Sequence, residues 1–334
     1  MRPFRFSLRA LQLPALLLLS SAANAAQNPQ EPQQTIRIQV ERVNVGVIVT
    51  DARGQFVEGL RREDFHLFDD GTEQPLTDFA TIEEPGQVLL LIEAGPAVYL
   101  LEGGHLQAAL GLLNGLSAGD RVAVVKYAEA PQALLDFTPD KQDAAASFDQ
   151  LRFNLGYGSL NLSSSVSKVI EWFRQVRGKK TIVLLSTGVD TSSANERAMA
   201  LQQLKTGDVR LLAVSLAGEL QDSPPSNKKK TRAQNPAQPP QQFAQANQLL
   251  KQLAEATGGR AYFPVSEKEF SAAYAEIAQL VRHEYSLAFT PPRQDGVVHS
   301  IEVRINSPQT SGPNAANMAY RTDYRRAYVA PTPQ

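Results

Sequence analysis

The sequence predicts a doubly wound α/β domain with a β-rich segment on either side. Short continuous apolar runs recur through the middle of the chain, and such runs are typical of parallel strands buried on both faces. The runs are Val88–Ile92, Val122–Val125, Ile182–Leu185 and Leu211–Leu216. Amphipathic segments separate them, and alternating apolar residues mark both ends of the chain. We therefore expect a Rossmann-like, mostly parallel sheet with helices on both faces.

Four amphipathic segments are predicted to form helices. Apolar residues recur at positions i, i+3, i+4 and beyond, which places them on one face of a helix. The first two stripes are Leu106, Ala109, Leu110, Leu113 and Leu116, and Val166, Val169, Ile170, Phe173 and Val176. The other two are Ala246, Leu249, Leu250, Leu253 and Ala256, and Phe270, Tyr274, Ile277 and Val281. Each stripe is expected to bury one face against the sheet.

The N-terminus resembles an export signal. Arg2, Arg5 and Arg9 precede an apolar stretch that ends at Leu19, and the small residues before Ala26 suit a signal-peptidase cut. Residues 1–25 are therefore predicted to be a signal peptide, and the mature protein to be periplasmic or extracellular. No later segment approaches the run of about 20 apolar residues that a transmembrane helix needs.

Composition and turn residues predict the remaining boundaries. A flexible Gln/Pro-rich lead (26–35) is followed by a β-rich segment (36–84) and by the α/β domain (86–283). Within that domain, residues 219–242 contain two proline pairs and three consecutive lysines with few apolar residues, which predicts a mobile insertion. Residues 284–329 predict a C-terminal β segment.

Two alternating stretches in the C-terminal segment predict an antiparallel hairpin. Tyr285–Phe289 and Ile301–Ile305 are separated by Pro291-Pro292 and Asp295-Gly296, which supply turn chemistry. A small β piece cannot bury a face alone, so the N- and C-terminal β segments are expected to pack together. Asp69-Asp70-Gly71 lacks the alternating ligands of a calcium loop and is interpreted as a turn.

Composition and motifs argue against several functional classes. The formal net charge of −1 gives no electrostatic argument for nucleic acid or an anionic membrane. Neither a G-x-G-x-x-G nor a P-loop motif is present, and the histidines (His66, His105, His283 and His299) occur in no H-E-x-x-H motif. Without cysteine, thiol catalysis, disulfides and cysteine zinc sites are excluded. We predict a protein without catalytic residues or a cofactor.

Two stretches carry a family resemblance. VGVIVTDARGQFVEGLRREDFHLFDDG begins at Val45, and YSLAFTPPRQDGVVHSIEVRI begins at Tyr285. With an α/β domain between them, these resemble the von Willebrand factor A (VWA)-related proteins abundant in acidobacteria. The resemblance covers nearly all of the mature chain. It implies an extracytoplasmic protein with a Rossmann-like A domain and no catalytic activity.

The resemblance also implies where a metal ion would bind. A domains usually hold a divalent cation through D-x-S-x-S after the first strand, a threonine in a later loop and an aspartate after the fourth strand. The matching positions hold Glu93, Gly95 and Ala97, then Ser159, then Thr187. Only three candidate oxygens with one negative charge remain, whereas Mg²⁺ prefers an octahedron of oxygens. We therefore predict a degenerate metal-ion-dependent adhesion site that holds neither Mg²⁺ nor Ca²⁺.

The predicted function is binding of a protein partner, of the adhesion or scaffold type. Open α/β sheets place ligands at the carboxyl ends of their strands. The predicted binding rim comprises Glu93, Pro96, Ser159, Thr187 and Asp190. Two alternatives stay open, namely a structural component of the cell envelope and a metal-dependent adhesion module. The sequence names neither the partner nor the oligomeric state.

Overall fold

The computed structural model describes residues 42–82, 85–95, 104–151, 158–218, 240–306 and 320–332. The predicted signal peptide and lead lie outside these residues, as do residues 219–239 of the predicted insertion. The last residues of that insertion, from Pro240 onward, begin a helix that continues to Glu255.

Strands and helices alternate through the middle of the chain, and shorter strands occupy its two ends. The strands are β1 (Val43–Thr50), β2 (Phe65–Asp69), β3 (Thr72–Gln74), β4 (Asp78–Ile82), β5 (Gly86–Glu93), β6 (Arg121–Tyr127), β7 (Pro131–Thr138), β8 (Lys179–Ser186), β9 (Val209–Ser215), β10 (Ala261–Tyr262), β11 (Glu284–Phe289), β12 (Val298–Ile305), β13 (Arg321–Asp323) and β14 (Ala327–Val329). The α-helices are α1 (Gly104–Gly115), α2 (Lys141–Ser147), α3 (Leu162–Phe173), α4 (Ala194–Thr206), α5 (Pro240–Glu255) and α6 (Glu267–Arg282). Single 3₁₀ turns lie at Arg62–Asp64 and Phe148–Gln150.

The central sheet has the order β10-β9-β8-β5-β6-β7 in the part of the chain that the structure describes. Its strands are parallel, except that β7 runs antiparallel to β6. Residues of α1, α2 and α6 share a core with Leu90, whereas those of α3, α4 and α5 share a second core with Leu89 and Leu91. The middles of the inner strands β5, β6, β8 and β9 are apolar because both faces of the sheet are covered there. The predicted doubly wound α/β fold is confirmed.

The two ends of the chain form a second layered unit, here called the β unit. Its two sheets have the orders β13-β1-β11-β4 and β14-β12-β2-β3, and the neighbouring strands are antiparallel. N-terminal β1 pairs with C-terminal β11, and β2 pairs with β12. A core that includes Val45, Leu67, Leu287 and Val303 lies between the sheets. The expectation that the terminal β segments pack together is confirmed.

The predicted C-terminal hairpin is wrong. Strand β11 pairs with β1 and β4, whereas β12 pairs with β2 and β14, so the two strands belong to different sheets. Alternation shows only that each strand has one buried face. The buried face of β11 and the buried face of β12 contribute to the same core, although the strands lie in different sheets. The turn residues between the strands are therefore compatible with a connection from one sheet to the other.

Arg260 joins the α/β domain to the β unit. Its side chain donates from Nε to Asp323 Oδ2 at 2.6 Å, from Nη2 to Thr50 Oγ1 at 2.8 Å and from Nη1 to Glu276 Oε1 at 2.5 Å. Asp323 and Thr50 lie in the β unit, while Glu276 lies on α6. Arg260 is 5% exposed, so the charge of its guanidinium relies on these partners.

Among the described residues, no helix has both the length and the apolar character that crossing a membrane requires.

Candidate binding site at the carboxyl end of the sheet

Three neighbouring strands bring the polar cluster of the candidate site together. Strand β5 lies between β6 and β8, and all three run parallel, so their carboxyl ends meet at one edge. Glu93 ends β5 and is in register with Tyr127, the last residue of β6. Ser186 ends β8 and Thr187 follows it. This is the edge at which open α/β sheets place their ligands.

The Glu93 carboxylate is fully buried and accepts hydrogen bonds from several donors. The Thr187 backbone N–H donates to Oε2 at 2.8 Å, and the Thr187 hydroxyl lies 2.9 Å from Oε2 and 3.0 Å from Oε1. Ser186 Oγ donates to Oε2 at 3.0 Å, and the Tyr127 hydroxyl does so at 3.2 Å. The extra methylene of glutamate, compared with aspartate, lets the carboxylate reach the start of the β8–α4 loop.

The partners of Glu93 also contact one another. The hydroxyls of Tyr127 and Ser186 lie 2.7 Å apart, and the Gly188 N–H donates to Ser186 Oγ at 2.9 Å. Burial raises the pKa of Glu93, and the hydrogen bonds from Thr187, Ser186 and Tyr127 oppose that rise. Burial, together with the Glu93 charge, raises the pKa of Tyr127 well above its usual value. Tyr127 therefore remains a phenol that can donate.

Leu160 fills the space beside Gly95, at the first of the two serine positions in the usual motif. A Cβ atom at Gly95 would lie 2.8 Å from Leu160 Cδ2 and 3.2 Å from Glu93 Oε1. Leu160 is 9% exposed, while its neighbour Ser159 is exposed. An apolar side chain thus occupies the space that a serine side chain would need at this position of a metal site.

Asp190 fastens the loop after β8 to the start of α3. Its carboxylate accepts from Ser163 Oγ at 2.6 Å and from the Ser192 N–H at 2.9 Å. A more distant contact from the Ser163 N–H measures 3.4 Å. These bonds use both carboxylate oxygens and direct Asp190 toward the start of α3, and none of them involves Glu93.

The predicted rim residues occupy different depths. Glu93 is 0% exposed and Thr187 is 2% exposed, so neither reaches the surface. Ser159 is exposed and Asp190 is half-buried. Pro96 and Ala97 lie outside the described residues. Tyr127, Ser186 and Leu160 were not predicted as site residues from the sequence, although the first two lie at or just beyond the ends of two predicted strands.

Hydrogen bonds hold the loops of this edge together. The Asn161 N–H donates to Ala128 O at 2.9 Å, and its side-chain amide donates to Glu129 O at 2.9 Å. The Thr191 N–H donates to Leu160 O at 2.7 Å, and its hydroxyl donates to Asn161 Oδ1 at 2.9 Å. The loops after β6 and β8 are therefore both tied to the segment before α3. We call four exposed residues of these segments, Glu129, Ser159, Thr191 and Ser193, the outer rim.

Fold and site together define an open-sheet α/β domain whose loops at the carboxyl ends of the strands enclose a polar cluster. The family model of the von Willebrand factor type A domain matches residues 106–276, and the chain belongs to this family. The comparison with curated proteins found no match.

Several solved structures are similar in fold. An aerotolerance-related membrane protein from Bacteroides fragilis NCTC 9343 matches with a TM-score of 0.45 and 14% identity, over 58% of this chain and 98% of that one. A von Willebrand factor type A protein from Catenulispora acidiphila matches with a TM-score of 0.45 and 11% identity, over 79% and 76%. The PilB minor pilin from Streptococcus sanguinis matches with a TM-score of 0.44 and 10% identity, over 62% and 63%.

Proposed function

We propose that this chain is an exported, non-catalytic VWA-domain protein that binds a protein partner at the outer rim without a metal ion. The observation that carries the proposal is the buried Glu93 carboxylate, which accepts hydrogen bonds from Thr187, Ser186 and Tyr127. The carboxylate that would anchor a cation is thereby engaged with the protein itself.

The residues present do not fit a hard cation. Mg²⁺ requires six oxygens in near-ideal octahedral geometry. Here the Thr187 hydroxyl points at Glu93, Gly95 offers no side-chain oxygen, and Leu160 covers the space beside it. Binding a cation would mean breaking the hydrogen bonds to Glu93 and displacing Leu160. Both changes cost free energy, and one carboxylate provides little charge to offset that cost.

The outer rim has properties that suit a protein partner. Its exposed residues are small or polar, and Glu129 is its one charged member. The hydrogen bonds through Asn161 and Thr191 hold the loops in place before any partner arrives. A preorganised surface loses little conformational entropy on binding, which favours affinity.

A crosslinking experiment tests this proposal. The chain contains no cysteine, so Ser159→Cys creates a unique attachment point on the outer rim. A thiol-reactive photo-crosslinker at this position is exposed to envelope extract of the source organism. Arg177→Cys is the matched control, because Arg177 is exposed and precedes the amino end of β8, at the opposite edge of the sheet.

We expect a discrete adduct at position 159, its absence at position 177, and no effect of EDTA on the yield. Equal labelling at both positions would contradict binding at the rim, and loss of the adduct in EDTA would contradict metal independence. No adduct at either position would favour the structural role in the envelope. Export is tested separately, since protein recovered outside the cytoplasm should begin at Ala26 by intact mass.

A further inference from the structure

The β unit holds a second cluster of ionisable side chains, formed where two distant parts of the sequence pair. Asp69 is the last residue of β2, and Asp70 begins the turn to β3. Strand β12 runs antiparallel to β2, with Ile301 opposite Asp69, so His299 is a diagonal neighbour of Asp69 on the same face. The pairing brings together residues that lie about 230 positions apart in sequence.

Three potential ligand atoms face one another in this cluster. His299 Nδ1 lies 2.8 Å from Asp70 Oδ2 and 3.6 Å from Asp69 Oδ1, and the three atoms all lie within 4.8 Å of one another. His299 is 2% exposed and Asp69 is 3% exposed. Both Asp69 Oδ1 and His299 Nδ1 are buried and accept or donate no hydrogen bond of acceptable geometry. Buried polar atoms in proteins nearly always have a hydrogen-bond partner, so two that lack one at the same place call for an explanation, such as a bound ion.

The surrounding hydrogen bonds orient each ligand. Asp295 Oδ1 lies 3.1 Å from His299 Nε2, and because a carboxylate can only accept, Nε2 donates this bond. Nδ1 faces the carboxylates of Asp70 and Asp69, so a cation that binds there would take the place of a proton on Nδ1. The Ser300 N–H and hydroxyl both donate to Asp70 Oδ1 at 2.9 Å, which leaves Oδ2 directed toward His299. A carboxylate on the far nitrogen is a regular feature of metal-binding histidines.

The charges around the cluster favour a cation. Asp69, Asp70 and Asp295 place three carboxylates around one imidazole. Asp69 is buried, and a buried carboxylate is costly unless a cation or hydrogen-bond donors offset its charge. The Asp70 side chain is 41% exposed, so an ion could enter from solvent on that side.

We propose that Asp69, Asp70 and His299 bind one divalent cation of the zinc type, separate from the site that A domains usually carry. A ligand set of one imidazole nitrogen and two carboxylate oxygens suits Zn²⁺, whereas Mg²⁺ and Ca²⁺ prefer oxygen alone. Tetrahedral zinc sets its ligands about 3.4 Å apart. The observed separations of 2.8 and 3.6 Å lie on either side of that value. The ion would fasten the β2–β3 turn to β12.

Titration with Zn²⁺ tests the proposal on the full mature chain, purified without a polyhistidine tag and stripped with a chelator. Calorimetry measures stoichiometry and affinity, and Co²⁺ in place of Zn²⁺ reports ligation through its visible absorption. The variants are Asp70→Asn, His299→Asn and Asp295→Asn. His66→Asn is the control, because His66 Nδ1 pairs with a single carboxylate, Glu73, at 2.6 Å in the same sheet.

We expect one equivalent of Zn²⁺ per chain in the wild type and in His66→Asn. Asp295→Asn should weaken binding by about 10- to 100-fold, as loss of an outer partner does elsewhere, and Asp70→Asn and His299→Asn should weaken it at least as much. Asp70 lies on an exposed turn, so its variant tests binding even if His299→Asn fails to fold. Absence of stoichiometric binding, or binding that Asp70→Asn leaves unchanged, would overturn the proposal. Neither result bears on the outer rim.

Discussion

Replacing Glu93 should destabilise the fold, because the hydrogen bonds that its carboxylate accepts would be lost. Truncation in Glu93→Ala removes the acceptor for the Thr187 N–H and hydroxyl, the Ser186 hydroxyl and the Tyr127 hydroxyl. Tyr127 and Ser186 can still bond each other across 2.7 Å, so the two Thr187 donors are the principal loss. Each buried donor that is left without an acceptor costs about 1–3 kcal/mol. Removing the buried carboxylate also removes the cost of its desolvation, which offsets part of the loss from the two donors.

We therefore expect Glu93→Ala to lower the free energy of unfolding by about 3 kcal/mol, and Glu93→Gln by about 1–2 kcal/mol because its amide oxygen still accepts. Urea unfolding followed by circular dichroism measures both, and an unchanged m-value would show that the comparison is valid. Glu129→Ala is the control, since Glu129 is exposed on the outer rim and should change stability by less than about 0.5 kcal/mol. A Glu93→Ala variant as stable as that control would refute the proposed network.

Three further predictions follow from buried contacts. Gly95→Ser should destabilise the fold by about 1–3 kcal/mol without creating Mg²⁺ binding, because the new Cβ would lie 2.8 Å from Leu160 Cδ2. In thermal melts, the double variant with Leu160→Ala should recover part of the lost stability. A double variant that recovers none would contradict the predicted clash. Burial lowers the pKa of Lys179 to about 8, below its value in the unfolded chain. Between about pH 8 and 10.5 the unfolded chain then binds more protons than the folded chain, so the free energy of unfolding should rise with pH by up to about 3 kcal/mol. Lys179→Met should lack this rise. If the wild type and Lys179→Met give parallel curves of unfolding free energy against pH, the prediction is refuted. Arg260→Met should cost about 3 kcal/mol, because it removes one of the two arginines that pair with the buried Asp323 and leaves only the more exposed Arg321. An effect below about 1 kcal/mol in urea unfolding would show that the two units are joined by other contacts.

The central fold could be predicted because burial leaves a strong mark on it. Strand β5 is apolar from Val88 to Ile92, since its side chains alternate between two cores. Helix α4 was missed because it buries few side chains, Ala200 and Leu204 among them, and so shows no stripe. Its start did carry a signal, namely a capping box of Ser193 and Glu196.

The sites depend on pairings that the sequence pattern leaves open. The order of strands was enough to bring Glu93 and Thr187 to one edge. It was not enough to predict the Tyr127 and Ser186 contacts, because these depend on the register of three strands. The His299 cluster was out of reach for the same reason, since the alternation in β12 predicted pairing with β11 instead of β2.

We propose that the cluster around Glu93 keeps its structure and its role in partner binding without a metal ion. Calorimetric titration with Mg²⁺ and Ca²⁺, with thermal melts in parallel, tests it most directly. Measured in a His299→Asn background, the titration excludes any contribution from the β unit. We predict no saturable heat and an unchanged Tm. Saturable binding with a raised Tm, both lost when Glu93→Gln is added, would contradict the claim.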